Sequence, residues 1–326
     1  MTKRLMIALL ALAVVALGIS PAVAADYSIK IGGGPTGGTF NQFTNAMAVY
    51  VPKVNSNIQA SSVGSGGSVE NLKRVHNGES DFGLSYAVDS DLGFQGKLPQ
   101  DTVKYNKIRA MGYLYGAPAQ LVVRADSGFK KASDLKDKRV ALGNAGSGAA
   151  ASAERFFRHI GLWDNFKPTF MGYSAAASAF QDGKIDAFWV LVGYPNRSII
   201  EAAVQVKIAL IDVGIEAEET GFYKAYAYSP AVIPAGTYGK DMPATKSFQD
   251  SCILTTSIDQ PEELVYAIMK TLWSEAGMQA MVTAKKTFKE MNMENAFSGA
   301  SVPLHPGAVK FWKEQNKQIP ANLMGN

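Results

Sequence analysis

The 326-residue sequence predicts an α/β protein made of two similar lobes. Three observations carry that prediction: a strand, glycine loop and helix near the start, the same unit again from Lys138, and a Gly-x-x-Asp turn that closes each series. Strands alternating with helices imply parallel sheets covered on both faces. About 300 residues is enough for two such lobes around a large core.

The first series opens with "IKIGGGPTGGTFNQF", an apolar strand running into a glycine-rich turn and then a helix reaching about Val51. Next come the strand "IQASSV", the loop "GSGGS", the helix "VENLKRVHN" and the strand within "GESDFGLSYA". The second series reads strand "RVALGN", loop "AGSGAA", helix "ASAERFFRHIG", strand "PTFMGY", Ser174 as a helix cap, helix "AAASAFQD" and strand "GKIDAFWVLV". Gly78 to Asp81 ends the first and Gly183 to Asp186 the second; on this feature alone, coincidence of a common turn pattern remains an alternative.

Gly32, Gly34 and Gly37 fit the dinucleotide spacing, and Gly32 to Thr39 is nearly a phosphate-binding loop with Gly38 in place of its lysine. A dinucleotide site needs an acid at the end of the second strand to bind ribose hydroxyls. "IQASSV" leads instead into Gly64 and Ser65, without a carboxylate. Ligands of open α/β sheets sit beyond the carboxyl ends of the strands, where these loops fall. Glycine lets backbone approach a ligand, and the first amides of the following helix lack intrahelical acceptors and carry partial positive charge. Such loops in both halves predict a clamp around a small ligand.

Lys3 and Arg4, the fifteen-residue apolar run "LMIALLALAVVALGI" and Ala22-Val23-Ala24 read as a signal peptide over residues 1 to 24, cleaved before Ala25. The run falls short of the roughly twenty residues that span a bilayer, and no cysteine marks a lipid attachment site. The expected address is the periplasm. Removal of this segment leaves 30 basic against 28 acidic residues, a balance that argues against nucleic acid as partner. Cys252, the one cysteine, permits no internal disulfide.

The segments "IGGGPTGGTF", "GSGGSVENLKRVHNGESDFGL", "LVVRADSGFKKASDLKDKRVALGNAGSG", "GYPNRSI", "PAVIPAGTY" and "VPLHPGAVKFWKE" resemble the TAXI family of solute-binding proteins, which serve TRAP-type transporters. The resemblance implies a two-lobed periplasmic-binding-protein type II fold with crossing hinge strands, near Ala117 to Val122 and again near Ala231 to Gly239. Residues 25–117 and 240–326 would form lobe one, and 118–239 lobe two. It also implies a monomer that captures a small organic solute, a carboxylate or amino acid, and delivers it to TRAP permease subunits. No cofactor and no metal are expected. At Tyr86-Ala87-Val88 and Ala149-Ala150 the chain departs from the polar residues of many relatives, which points to a smaller, less polar or more aromatic solute.

The candidate ligand residues are Thr36, Gly37, Gly38, Thr39 and Phe40 in the first loop, Ser65, Gly66, Gly67 and Ser68 in the second, and Tyr86 at the third strand's end. Ser147, Gly148 and Ala149 would oppose them from lobe two, with Ser174, Trp189, Tyr194 and Asn196 as further candidates. Ser174 and Asn196 could instead cap helices, and Trp189 could pack in the core. Arg124 could clamp an anion through two parallel donors or serve the hinge, and Arg197 could reach the ligand. His76, His159 and His305 lack metal spacing with one another or with Cys252, and no serine sits in a nucleophile elbow. A secreted hydrolase is therefore the weaker alternative, and a sensor that presents its ligand to a receptor is a third reading.

Overall fold

Ile29 and Ile31 are buried while Ser28 and Lys30 face solvent, the two-residue period that makes Tyr27–Gly32 a strand, β1. A computed structural model describes residues 26–36, 38–99 and 101–325 of the chain. The expected signal peptide and its cleavage before Ala25, like the candidate Gly37, lie outside the described residues. β1 is flanked on both sides by parallel partners, β2 (Ile58–Val63) and β3 (Phe82–Tyr86). The crossovers are α1 (Thr39–Val54), which buries Phe40, Phe43, Met47 and Val51 along one face, and α2 (Ser68–His76), which buries Leu72 and Val75. α3 (Ala87–Gln95) follows β3 directly.

Lobe two repeats this plan. β5 (Arg139–Ala141) lies parallel to and between β6 (Lys167–Thr169) and β7 (Ala187–Leu191), with α4 (Gly148–His159) and α5 (Tyr173–Gln181) as crossovers. The Gly-x-x-Asp turns form the same joint in both lobes. Gly78 and Gly183 follow the last helical residues at φ of 75° and 70°, a left-handed conformation that glycine adopts without strain. The next amides, of Glu79 and Lys184, donate back to Arg74 and Ala179 at 2.8 Å each. The aspartates then tie the last strand to the first: Asp81 accepts from the Lys30 amide at 2.7 Å and Asp186 from the Arg139 amide at 2.8 Å. The shared pattern therefore has a shared mechanical cause.

Two long strands join the lobes. β4 (Ile108–Arg124) pairs antiparallel with β10 (Thr245–Ser257) from Ile108 to Pro118, then with β7 from Ala119 to Val123. The outward crossing thus lies within Ala117 to Val122, the segment that the resemblance implied. The return crossing does not lie where it implied: it is made by β10, whereas residues 231–239 hold the end of β9 (Ser229–Ile233) and the turn after it. A hairpin to β9 delays the return, because Thr245 to Gln249 of β10 first pair with β9 before the strand continues beside β3.

Between β7 and β9 the chain adds α6 (Arg197–Gln205), β8 (Ile208–Ile211), α7 (Val213–Glu219) and α8 (Phe222–Ala225). After β10, α9 (Glu262–Leu272), α10 (Glu275–Ala284) and α11 (Pro306–Glu314) return to lobe one, where the Trp312 indole donates to the Met111 carbonyl at 2.8 Å. Trp273, Trp312, Phe43 and Phe82 fill the lobe-one core; Phe156, Phe157, Trp189 and Phe222 fill lobe two.

Candidate functional site

Four helices begin at one cavity between the lobes. α1 starts after Gly38 and α2 after Gly67 in lobe one; α4 starts after Ser147 and α5 after Gly172 in lobe two. Gly38, Gly67 and Gly172 supply no capping side chain, whereas the Ser147 hydroxyl accepts from the Ala150 amide at 3.0 Å. Helix starts leave amides without intrahelical partners and concentrate partial positive charge, so four together form an electropositive pocket. None of the residues lining it is lysine, arginine or histidine.

Thr39 and Ser68 add hydroxyls. Thr39 is 1% exposed, lines the cavity, and its hydroxyl has no hydrogen-bond partner within the protein. Ser68 accepts from the Tyr86 amide at 2.8 Å, which leaves its own proton available. Phe40 and Tyr86 form an aromatic wall with ring centroids 4.9 Å apart. The Tyr86 and Tyr173 hydroxyls both donate to the Leu191 carbonyl, at 2.7 and 3.2 Å. Burial raises the pKa of both phenols, so they remain neutral donors.

The lobes meet closely around this space. A Cβ at Gly148 would collide with the Tyr86 ring and lie 2.8 Å from Asp89 Oδ2, so only glycine permits the approach. The Glu70 amide donates across to Gly146 O at 3.3 Å. The cavity is about 40 Å³, where one water needs roughly 10–15 Å³. It therefore accommodates a head group of a few atoms. An adjoining chamber of about 100 Å³ is lined by Thr36, Ser174 and Ser198 and shares Pro35, Gly38, Gly172 and Tyr173 with the first.

Of the residues expected at the ligand, the structure brings Gly38, Thr39, Phe40, Gly66, Gly67, Ser68, Tyr86, Ser147, Gly148 and Ala149 to the inner cavity. Thr36 and Ser174 lie in the outer chamber. Ser174 is not the helix cap: α5 starts two residues earlier than that reading requires, with Gly172 as its cap. Ser65 braces its loop, donating to Gly33 O at 2.9 Å and accepting from the Gly67 amide.

Like Ser65, three more candidates line neither chamber. Trp189 is a core residue, stacked on Phe156 and donating to Ser152 at 3.0 Å. Tyr194 lies in a separate groove with Thr287 and Glu290. Asn196 caps α6, its side-chain oxygen accepting from the Ser198 and Ile199 amides at 3.0 and 3.2 Å. The two arginines are engaged elsewhere. Arg124 donates to the carbonyls of Phe180 and Gln181 at the end of α5, and Arg197 pairs with Glu201 on the surface.

Asn144, Gly172, Tyr173, Leu191 and Val192 line the cavity without having been singled out in the sequence. Leu191 ends β7 and Val192 follows it, the position that open α/β sheets offer to ligands. Asn71 was also missed. Buried under the first loop, it donates to Gly33 O at 2.6 Å and to Leu84 O at 2.8 Å, which fixes the glycine turn to β3.

Two α/β lobes, two crossing strands and an interlobe cleft define the periplasmic-binding-protein type II fold. Among the described residues no group of three or more His, Cys, Asp or Glu could hold a metal ion. No helix among them is long and apolar enough to cross a membrane. The chain belongs to the NMT1-like family, whose profile matches residues 31–315.

A curated protein of Escherichia coli (strain K12), whose name assigns it to aliphatic sulfonate binding, is 29% identical over 185 residues. Those residues are 54% of this chain and 53% of that protein, so the chain spans about half the length of that relative. MatC from Rhodopseudomonas palustris, solved with bound malate, shares the fold at a TM-score of 0.50 and 15% identity, covering 80% of this chain and 88% of its own. The periplasmic aliphatic sulphonate binding protein SsuA from Escherichia coli aligns over 91% of this chain and 88% of its own, at 15% identity and a TM-score of 0.48. The family match corrects the sequence reading. The family is NMT1-like rather than TAXI, and the TRAP permease expected from the TAXI resemblance falls with it. Several of the segments that suggested TAXI, "IGGGPTGGTF" and "GYPNRSI" among them, are loops that lead from a strand into a helix.

Proposed function

We propose that the protein binds a small organic anion, a carboxylate or sulfonate, by its head group at the four helix starts. The unpartnered, buried Thr39 hydroxyl at that junction is the observation that carries this reading. Its setting holds converging amides and neutral phenols but no basic side chain. Such a site favours a compact negative charge and offers nothing to balance a positive one. The name of the Escherichia coli relative, which assigns it to aliphatic sulfonates, supports the same ligand chemistry. An apolar or hydroxyl-bearing tail would extend past Tyr173 into the outer chamber.

In this reading lobe one comprises residues 25–117 and 240–326, lobe two residues 118–239, and the mature chain works in the periplasm after loss of residues 1–24. The solute is handed to an ABC-type membrane permease. The test is a thermal-shift and calorimetric panel of methanesulfonate, ethanesulfonate, acetate, malate and glutamate, with acetamide and methylammonium as uncharged and cationic controls. Ligand at a hundredfold excess over Kd stabilises the folded state by about 2.7 kcal/mol. Anions alone should shift the melting temperature. Preferential binding of methylammonium, or of acetamide over acetate, would overturn the anion assignment.

A further inference from the structure

Behind the ligand cavity, a cluster of charged groups is buried at the hinge. Asp89 on α3 of lobe one meets Arg155 on α4 of lobe two at 2.7 Å, and the two side chains are 0% and 2% exposed. The same guanidinium donates to the Tyr228 hydroxyl at 2.8 Å. Asp250, 1% exposed, lies on β10 opposite Ala117, beside the point where β4 passes from one sheet to the other. Its Oδ1 accepts from the amides of Ser251 at 2.8 Å and Val88 at 3.3 Å. One further polar atom of each charged residue, Asp89 Oδ2, Arg155 Nη1 and Asp250 Oδ2, has no partner within the protein.

Asp89 pairs with the guanidinium, and the second carboxyl, that of Asp250, is buried beside this pair without bonding to Arg155. Such a cluster is most stable when one carboxyl carries a proton, because a buried uncompensated charge costs several kcal/mol. The cation and one acid come from opposite lobes, while the second acid sits on the hinge. We propose that Asp89, Arg155 and Asp250 form a latch between the lobes whose closed state holds one proton more than its open state.

The surroundings support Asp250 as the proton's site. Burial, followed by the neighbouring Asp89 charge, pushes the Asp250 carboxyl up to about 8 against the opposing pull of Arg155 and the two amides. Burial disfavours the Arg155 charge, yet Tyr228, Asp89 and Asp250 around it hold its pKa above the ordinary value. The other titratable groups facing the cluster are Tyr228 before β9, Tyr86 on β3, and Cys252 on β10, with Tyr115 of β4 behind them; burial raises all four. They stay neutral through the range in which Asp250 titrates.

Opening removes Asp89 from Arg155, admits water and returns Asp250 toward the ordinary carboxylate range near 4. The closed state then binds more protons between about pH 4 and pH 8. Closure weakens by up to about tenfold per pH unit as pH rises through that window, and is flat above it. This linkage belongs to the protein and does not depend on which solute occupies the cavity.

The test uses the full mature chain carrying Val54→Cys on α1 and Val204→Cys on α6, exposed positions on opposite lobes, spin-labelled for distance measurement. Buried Cys252 is shielded from the label. The closed-distance population should fall between pH 6 and pH 9, stay constant in Asp250→Asn, and be depleted at both pH values in Arg155→Met. Carbon-13 carboxyl titration of the unlabelled wild type should show one aspartate titrating near pH 8, a readout that needs no variant to fold. A distance distribution indifferent to pH, an Asp250→Asn variant that keeps the wild-type response, or aspartates that all titrate below pH 5 would each overturn the proposal.

Discussion

Tyr86 reaches from the end of β3 in lobe one to the Leu191 carbonyl at the end of β7 in lobe two, a 2.7 Å hydrogen bond across the cleft. These strands occupy equivalent places in the two sheets, so the bond ties matching ends of the repeated unit. It also lies beside the cavity, where the Tyr86 ring packs on Phe40. Tyr86→Phe keeps that packing and removes the strut, while Leu191 retains the Tyr173 hydroxyl. A neutral hydrogen bond contributes about 0.5–1.5 kcal/mol, so calorimetry should show binding weakened about two- to tenfold. Unchanged affinity would mean that the strut adds nothing to closure.

Gly148→Ala places a methyl group against the Tyr86 ring and Asp89 Oδ2 only when the lobes are shut. Each lobe folds as before, but closure must accommodate an overpacked contact costing about 1–3 kcal/mol. Binding should weaken about five- to a hundredfold, with scattering showing a larger radius of gyration at saturating ligand. A closed profile with full affinity would show that the lobes can absorb the methyl group.

Thr39→Val separates binding from stability. No protein group loses a partner, because the Thr39 hydroxyl has none. Stability without ligand should therefore stay within about 0.5 kcal/mol of wild type. A hydrogen bond to a charged head group contributes about 1.5–3 kcal/mol, so affinity for the anion should drop about ten- to a hundredfold. A variant that melts early but binds normally would assign Thr39 to structure alone.

His305 predicts an acid-sensitive stability. It caps α11 by accepting the Gly307 amide at its Nδ1, 3.1 Å away, so its proton resides on Nε2, facing Gln260 O at 3.1 Å. Burial lowers its pKa to about 4. Between pH 4 and 6.5 the unfolded chain therefore binds more protons at this residue than the folded one, and its contribution to stability falls as pH drops through that window. His305→Asn preserves a capping oxygen and removes the titration. Denaturant unfolding at pH 7 and pH 4.5 should show the variant losing about 2–3 kcal/mol less than wild type. Equal losses would remove His305 as the cause.

The two sheets were legible because their causes are local. Alternating burial in β1, glycine at the left-handed ends of α2 and α5, and the aspartates tying Asp81 to Lys30 and Asp186 to Arg139 all depend on near neighbours in the chain or on one adjacent strand. The glycine loops could be placed at a ligand for the same reason, since helix starts carry their electrostatics with them. The family was misread because loops of this kind recur wherever the fold needs a tight entry to a helix. For Trp189 the core and cleft readings stayed open because an aromatic residue in an apolar strand reads alike in either place, and Tyr194, in the loop after β7, faces a different groove.

By itself the sequence determined the repeated strand, loop and helix units, their parallel pairing and the charge-free glycine loops, because backbone conformation and apolar periodicity act over a few residues. Only the tertiary structure decided that β10 makes the return crossing, that four helix starts share one cavity, and that the Asp89–Arg155 pair is buried at the hinge strand that carries Asp250. Those groups lie as far as 161 positions apart in the chain. Their energies arise from shared burial, which exists only once both lobes have folded and closed on each other.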